Sequence, residues 1–225
     1  MNSAAPGNGS GAYCSIARVA VGLEPGLSSP TMSERIPLYS VRPDDTIEVQ
    51  RALRICLCGM RPPSALSCGA GSFSAWAQGE FLRVIAPHVI RVHAMALAGD
   101  AKAVAATDAA LALREASTSA GRALLATRSG ARPLPVMKKF AAAVEDGSAH
   151  GHFATVMALH GADFSIALLP LLQCVLYCEW RAVQPAGASL ELGDFFRCSG
   201  SLLPALASLL FPHAKDSATP AASMF

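Results

Sequence analysis

Two groups of side chains in this sequence have the types and spacing to hold a transition metal. His150 and His152 flank Gly151 in "HGH", with His160 further along, and Cys174 and Cys178 stand at i and i+4 in "LLQCVLYCEW". Imidazole nitrogen and thiolate sulfur are common ligands of such ions, and i, i+4 spacing puts two ligands on one face of a helix. His152 and His160 are two helical turns apart, too far to share one ion from a single helix. The competing reading is structural. The two cysteines lie in the most apolar stretch of the chain, where a free thiol behaves as a small hydrophobe. The histidines lie at a helix start and a helix end, where they can hydrogen-bond the terminal backbone groups. Cys56 and Cys58, as Cys-x-Cys, form a weaker pair still.

Signatures of other chemistry are missing. No Gly-x-x-x-x-Gly-Lys phosphate loop occurs, and "GNGSG" at 7–11 follows no strand and opens no helix. There is no Gly-x-Ser-x-Gly elbow, and the 16 acidic residues are too scattered to suggest an acid–base pair. A helical metal- or thiol-dependent enzyme would have to work with Cys174, Cys178 and the 150–160 histidines. Lys138 and Lys139 read as a solvated face, His88 and His93 as residues edging their helix, and Trp76 and Trp180 as core or helix-edge anchors.

The elements that carry these residues are helical. Hydrophobic residues make up 52% of the chain but aromatics only 6%, so the apolar content is mostly alanine and leucine, which favours helices. No stretch alternates with period two, and no Asn-Gly or Asp-Gly turn joins strand-like runs. With charged residues at 15%, a net charge of +2 and no basic block, nucleic acid is not the expected partner. The longest apolar run, 164–178, is broken by Pro170 and Gln173. It falls short of the roughly 20 residues that span a bilayer. Seven cysteines in no regular framework, with no apolar signal segment ahead of them, point to a reducing compartment. The cytoplasm is therefore the expected location, with organellar targeting by residues 1–35 as the alternative.

The expected organisation is a single all-α bundle. Residues 1–35 read as a disordered segment rich in Gly, Ser and Pro, and 36–75 as irregular apart from a helix at 43–57 capped by Asp44 or Asp45. A helical domain then runs over 76–212, followed by a flexible polar tail at 213–225. Within the domain, Phe81, Ile85, Val89 and Val92 recur at helical spacing, with Pro87 at a kink or a first turn. "LAGDAK" at 97–102 stops one helix at Gly99 and starts the next at Asp100. That next helix is expected to run to about 127, with Leu113, Ala116, Ala120 and Leu124 as its inner stripe. Met137, Phe140 and Val144 mark a helix ended by Gly147, and Phe153, Val156 and Met157 mark one ended by Gly161. Asp163 is the expected cap of the apolar helix reaching 182, and Pro204 interrupts a last apolar segment at 201–210.

One run is odd for a packing helix. "REASTSAGRALLATRSG" places Ser117 and Gly121 at i and i+4, where bulk would be expected; small residues there let another helix approach closely. This run resembles the Arg-x-Ala-Ser-x-x-x-Gly-x-x-Leu-Leu pattern of the urease accessory protein F family (UreF), through Arg114, Ala116, Ser117, Gly121, Leu124 and Leu125. The family's Gly-Asp turn ahead of it and Gly-His pair after it are similar to Gly99-Asp100 and to Gly151-His152 in "GHFATVMAL". Where the family usually has Gln before the glycine, this chain has Ala120. The resemblance covers residues 76–182 and implies an all-α, dimeric, non-enzymatic chaperone. Its implied partners are the accessory protein UreD (also called UreH), the GTPase UreG and apo-urease, with nickel handled by the complex and no cofactor of its own. A helical interaction module with an unrelated partner is the alternative.

Overall fold

Helix α7, Phe153–Asp163, carries apolar residues on every side rather than along one stripe, and such a helix is stable only when surrounded. The computed structural model, which describes residues 43–63, 73–127, 134–184 and 191–210, puts it at the centre. Every residue from Phe153 to Ala162 is buried. Around it pack α3 (Ala86–Leu97) and α5 (Glu115–Thr127) most extensively, then α8 (Leu168–Ala182) and α1 (Pro43–Cys56). The remaining elements are α2 (Phe73–Trp76), α4 (Ala101–Ala109), α6 (Pro135–Glu145), α9 (Leu192–Ser199) and α10 (Leu203–Leu210). No strand occurs among the described residues, so the all-α expectation holds. All of them belong to one unit, Pro37–Phe225; the expected disordered segment at 1–35 and tail at 213–225 lie outside the described residues.

Several local expectations hold for the reasons given. Gly99 is left-handed at φ +75°, and the N–H groups of Gly99 and Asp100 donate to the carbonyls of Ala96 and Met95. That is the Schellman closure of a helix end. The Asp100 side chain accepts from the Ala103 N–H at 2.9 Å and opens α4. Phe81, Ile85, Val89 and Val92 are all buried, and Pro87 lies in the first turn of α3. Directly before α3, residues Ala77–Ile85 are π-helical, and the Ala86 N–H reaches back to the Phe81 carbonyl.

Others are corrected. Residues 101–127 are not one helix: α4 stops at Ala109, α5 starts at Glu115, and Leu113 sits exposed in the link. Gly161 does not end α7 but lies inside it, where a Cβ would press on the Leu171 side chain of α8. The end comes at Ser165, a left-handed residue at φ +55°, with the Ile166 N–H on the Gly161 carbonyl. Asp163 therefore does not cap α8, which begins after Ala167; it accepts from the Leu134 N–H ahead of α6 instead. Pro204 opens α10 rather than interrupting it, as proline's fixed φ suits a first turn. Helix α1 begins at Pro43, so Asp44 and Asp45 fall inside its first turn instead of preceding it. Val49, Ala52 and Cys56 of α1 join the core.

Candidate functional site

The residue on which the surroundings of α7 converge is Asp108, in the last turn of α4 and fully buried. Its Oδ2 accepts the backbone N–H groups of His150 and Gly151, each at 2.7 Å. Its Oδ1 accepts the His152 N–H at 3.0 Å and the Thr155 hydroxyl at 2.6 Å. His152 is the N-cap of α7, but no side chain of its own segment caps that helix. A carboxylate from another helix takes the N–H of this N-cap residue and of the two residues before it. Three successive N–H groups form a concavity suited to an anion, and the positive end of the helix dipole lies behind it. A buried carboxylate must have its oxygens hydrogen-bonded, and four donors saturate its acceptor positions.

The small residues of α5 meet the same place. The Phe153 N–H donates to Ser117 Oγ at 3.3 Å. A Cβ on Gly121 would fall on the Gly151 carbonyl oxygen and within 2.7 Å of the Phe153 nitrogen. Glycine at 121 is thus required by backbone packed against backbone. Gly151 itself is left-handed at φ +77°, and a Cβ there would lie 3.2 Å from Val144. Arg122 Nε closes the outer side by donating to the His150 carbonyl at 3.1 Å. Arg114, just ahead of α5, forms an ion pair with Glu80 of the π-helical segment, and Trp76 Nε1 donates to the same carboxylate at 3.1 Å. Leu124 is buried, while Ala116 and Leu125 are half-buried.

The break in residues 101–127 follows from this geometry. Nine residues apart on one continuous helix, Asp108 and Ser117 would point in directions about 180° apart. The chain turns between Ala109 and Glu115 so that both face the start of α7.

The histidines divide between roles. His88 does not merely edge α3: it is buried, and its Nε2 lies 2.8 Å from Thr155 Oγ1. The Thr155 proton is committed to Asp108, so His88 Nε2 carries a hydrogen and donates it. Burial is the main reason its pKa falls to about 4; the nearby Asp108 charge opposes this. His152 is also buried and lowered by burial, with its ring bonded to the backbone of Leu111 in the α4–α5 link. His93, lowered by burial as well, bonds the backbone of Ile166. His150 is half-buried with its ring edge-on to that of His152, whereas His160 lies apart, its Nδ1 2.5 Å from the Cys56 carbonyl.

The cysteine pair is packed into the core. Cys174 Sγ donates to the Val49 carbonyl at 3.6 Å, and burial pushes the Cys174 and Cys178 thiols well up. Cys56 is likewise raised to about 12. Burial keeps these thiols protonated. Among the described residues, no group of three or more His, Cys, Asp or Glu is placed to hold a metal ion. Lys138 and Lys139 are exposed; Trp180 is buried against Tyr177 and Phe195. Asp108 is the central residue to which sequence reasoning gave no role, although the family resemblance includes a helix carrying Asp between the Gly-Asp turn and the Arg114–Leu125 run. Only its place ahead of the Arg114–Leu125 run could have marked it.

Two outcomes follow. Gly121→Ala is expected to lower stability by at least about 2 kcal/mol in urea unfolding, because backbone cannot yield as a side chain can. Gly193→Ala in α9, where a Cβ meets nothing within 4 Å, serves as the contrast and should raise stability by up to about 1 kcal/mol. The second concerns acid. Above pH 6.5 His88 is neutral in both states; between 6.5 and about 4 the unfolded chain binds a proton that the folded chain refuses. Stability should therefore fall on acidification through that window, by on the order of 3 kcal/mol from His88 alone. His88→Gln keeps an N–H donor and should flatten the pH dependence by about one proton in a pH series of thermal midpoints.

A family model for UreF matches residues 68–186, just over half of the chain. No curated protein and no solved structure matches it. The matched span contains Asp108, the whole Arg114–Leu125 run and the Gly151-His152 pair that they hold in place. The chain belongs to the UreF family.

Proposed function

We propose that this protein is a urease accessory protein, a non-enzymatic chaperone for nickel insertion into apo-urease. It acts in a complex with the accessory protein UreD/UreH and the GTPase UreG, as a homodimer in the cytoplasm, and nickel is cargo of the complex. The family match over residues 68–186 carries this reading. The polar residues around α7 support it by their inward commitment: the Asp108 oxygens serve the fold, leaving no acceptor position for a substrate. Exposed apolar side chains, with Leu97 at 62% and Leu113 at 63% exposure, offer surface for large complementary contacts. No described helix is long and apolar enough to cross a membrane.

Co-expression with UreG and UreD/UreH tests the proposal. The three proteins should co-purify, and deletion of this chain's gene should abolish growth on urea as sole nitrogen source with nickel supplied, restored by the wild-type gene. Three folded proteins that fail to associate, together with unimpaired urease activation in the deletion, would instead support an interaction module with another partner.

A further inference from the structure

On the side of the molecule formed by α1, the turn after it, the end of α8 and the start of α9, an open cleft of about 620 Å³ remains. None of the residues that hold the start of α7 line it. Leu53, Met60 and Leu192 give it an apolar lining, and two guanidinium groups, Arg54 from the last turn of α1 and Arg181 from that of α8, give it charge. Neither arginine is paired with a carboxylate among the described residues, in contrast to Arg114 and Arg197, which have Glu80 and Asp194. Glu191 is the one acidic residue among the described lining.

The shape distinguishes kinds of ligand. A small molecule is held by burying most of its surface in an enclosed pocket. Here Arg54 and Glu191 are exposed and Arg181 is half-exposed, so the charged groups stand at an open mouth above the apolar lining. An apolar centre with a charged rim is the pattern of a protein–protein contact. Unpaired guanidinium groups favour carboxylates, which they can take by two parallel hydrogen bonds.

We propose that this cleft docks an acidic segment of a partner protein, with a large apolar side chain against Leu53, Met60 and Leu192 and carboxylates on Arg54 and Arg181. This goes beyond the urease-accessory reading and does not depend on it. The test uses the full chain and a fluorescein-labelled hexapeptide, Glu-Glu-Leu-Phe-Glu-Glu, with counterparts carrying Gln or Lys in place of Glu. Fluorescence anisotropy should show binding of the acidic peptide over both counterparts, weakening as salt is raised. The double variant Arg54→Gln/Arg181→Gln should bind it at least about tenfold more weakly with an unchanged thermal midpoint, and Arg54→Lys/Arg181→Lys should retain part of the affinity. The proposal is overturned if the acidic peptide fails to bind, binds no better than its Gln counterpart, or binds the double Gln variant as well as the wild type.

Discussion

The fold depends on one carboxylate set against one stretch of backbone. Asp108 is fully buried, and an uncompensated charge there would cost several kcal/mol. Compensation comes from the N–H groups of residues 150–152 and the Thr155 hydroxyl. The His152 N–H is among the groups that a helix start leaves without partners, and those of His150 and Gly151 belong to the irregular backbone leading into it. Each side thus satisfies a need of the other. The start of the central helix and the end of α4 are held in register by bonds that water cannot replace.

The neighbouring residues follow from that contact. Because α7 is surrounded, its leading turn cannot rely on solvent, and α5 must come close enough to supply Ser117 Oγ. Only Gly121 leaves room for the Gly151 carbonyl, and Gly151 is left-handed. Arg114, Arg122, His88 and His152 form the next layer, tying the π-helical segment, α3 and the α4–α5 link to the same junction. The residues through which the sequence resembles the UreF family are therefore largely the residues of one packing junction. These residues are spent on packing, so kinship is easier to read here than function.

What was legible in the sequence is what local chemistry decides. The Gly99-Asp100 helix stop and start, the buried stripe of Phe81, Ile85, Val89 and Val92, and the burial of Cys174 and Cys178 each follow from spacing and residue type. The errors arise where a distant contact overrides local propensity. Nothing in the alanine-rich stretch from 101 to 127 breaks a helix locally; the break is imposed by the need of Asp108 and Ser117 to face one target. Gly161 looks like a terminator but makes room for Leu171, while Ser165 takes the left-handed position usually held by glycine. The small pair Ser117 and Gly121 announced a close approach without saying to what. The approaching group is the irregular backbone before α7 as much as a helix.

The central claim is that Asp108 organises the start of α7. Amide hydrogen exchange in the wild type and in Asp108→Asn tests it most directly, because asparagine keeps the size but has one acceptor oxygen and turns N–H donors toward N–H donors. The account predicts that the amides of Gly151 and His152 exchange as slowly as the core of α7 in the wild type. In the variant they should speed up by at least about a hundredfold, an opening free energy lowered by about 3 kcal/mol, while those of α8 change less. Unchanged protection of Gly151 and His152 in a folded Asp108→Asn protein would contradict it.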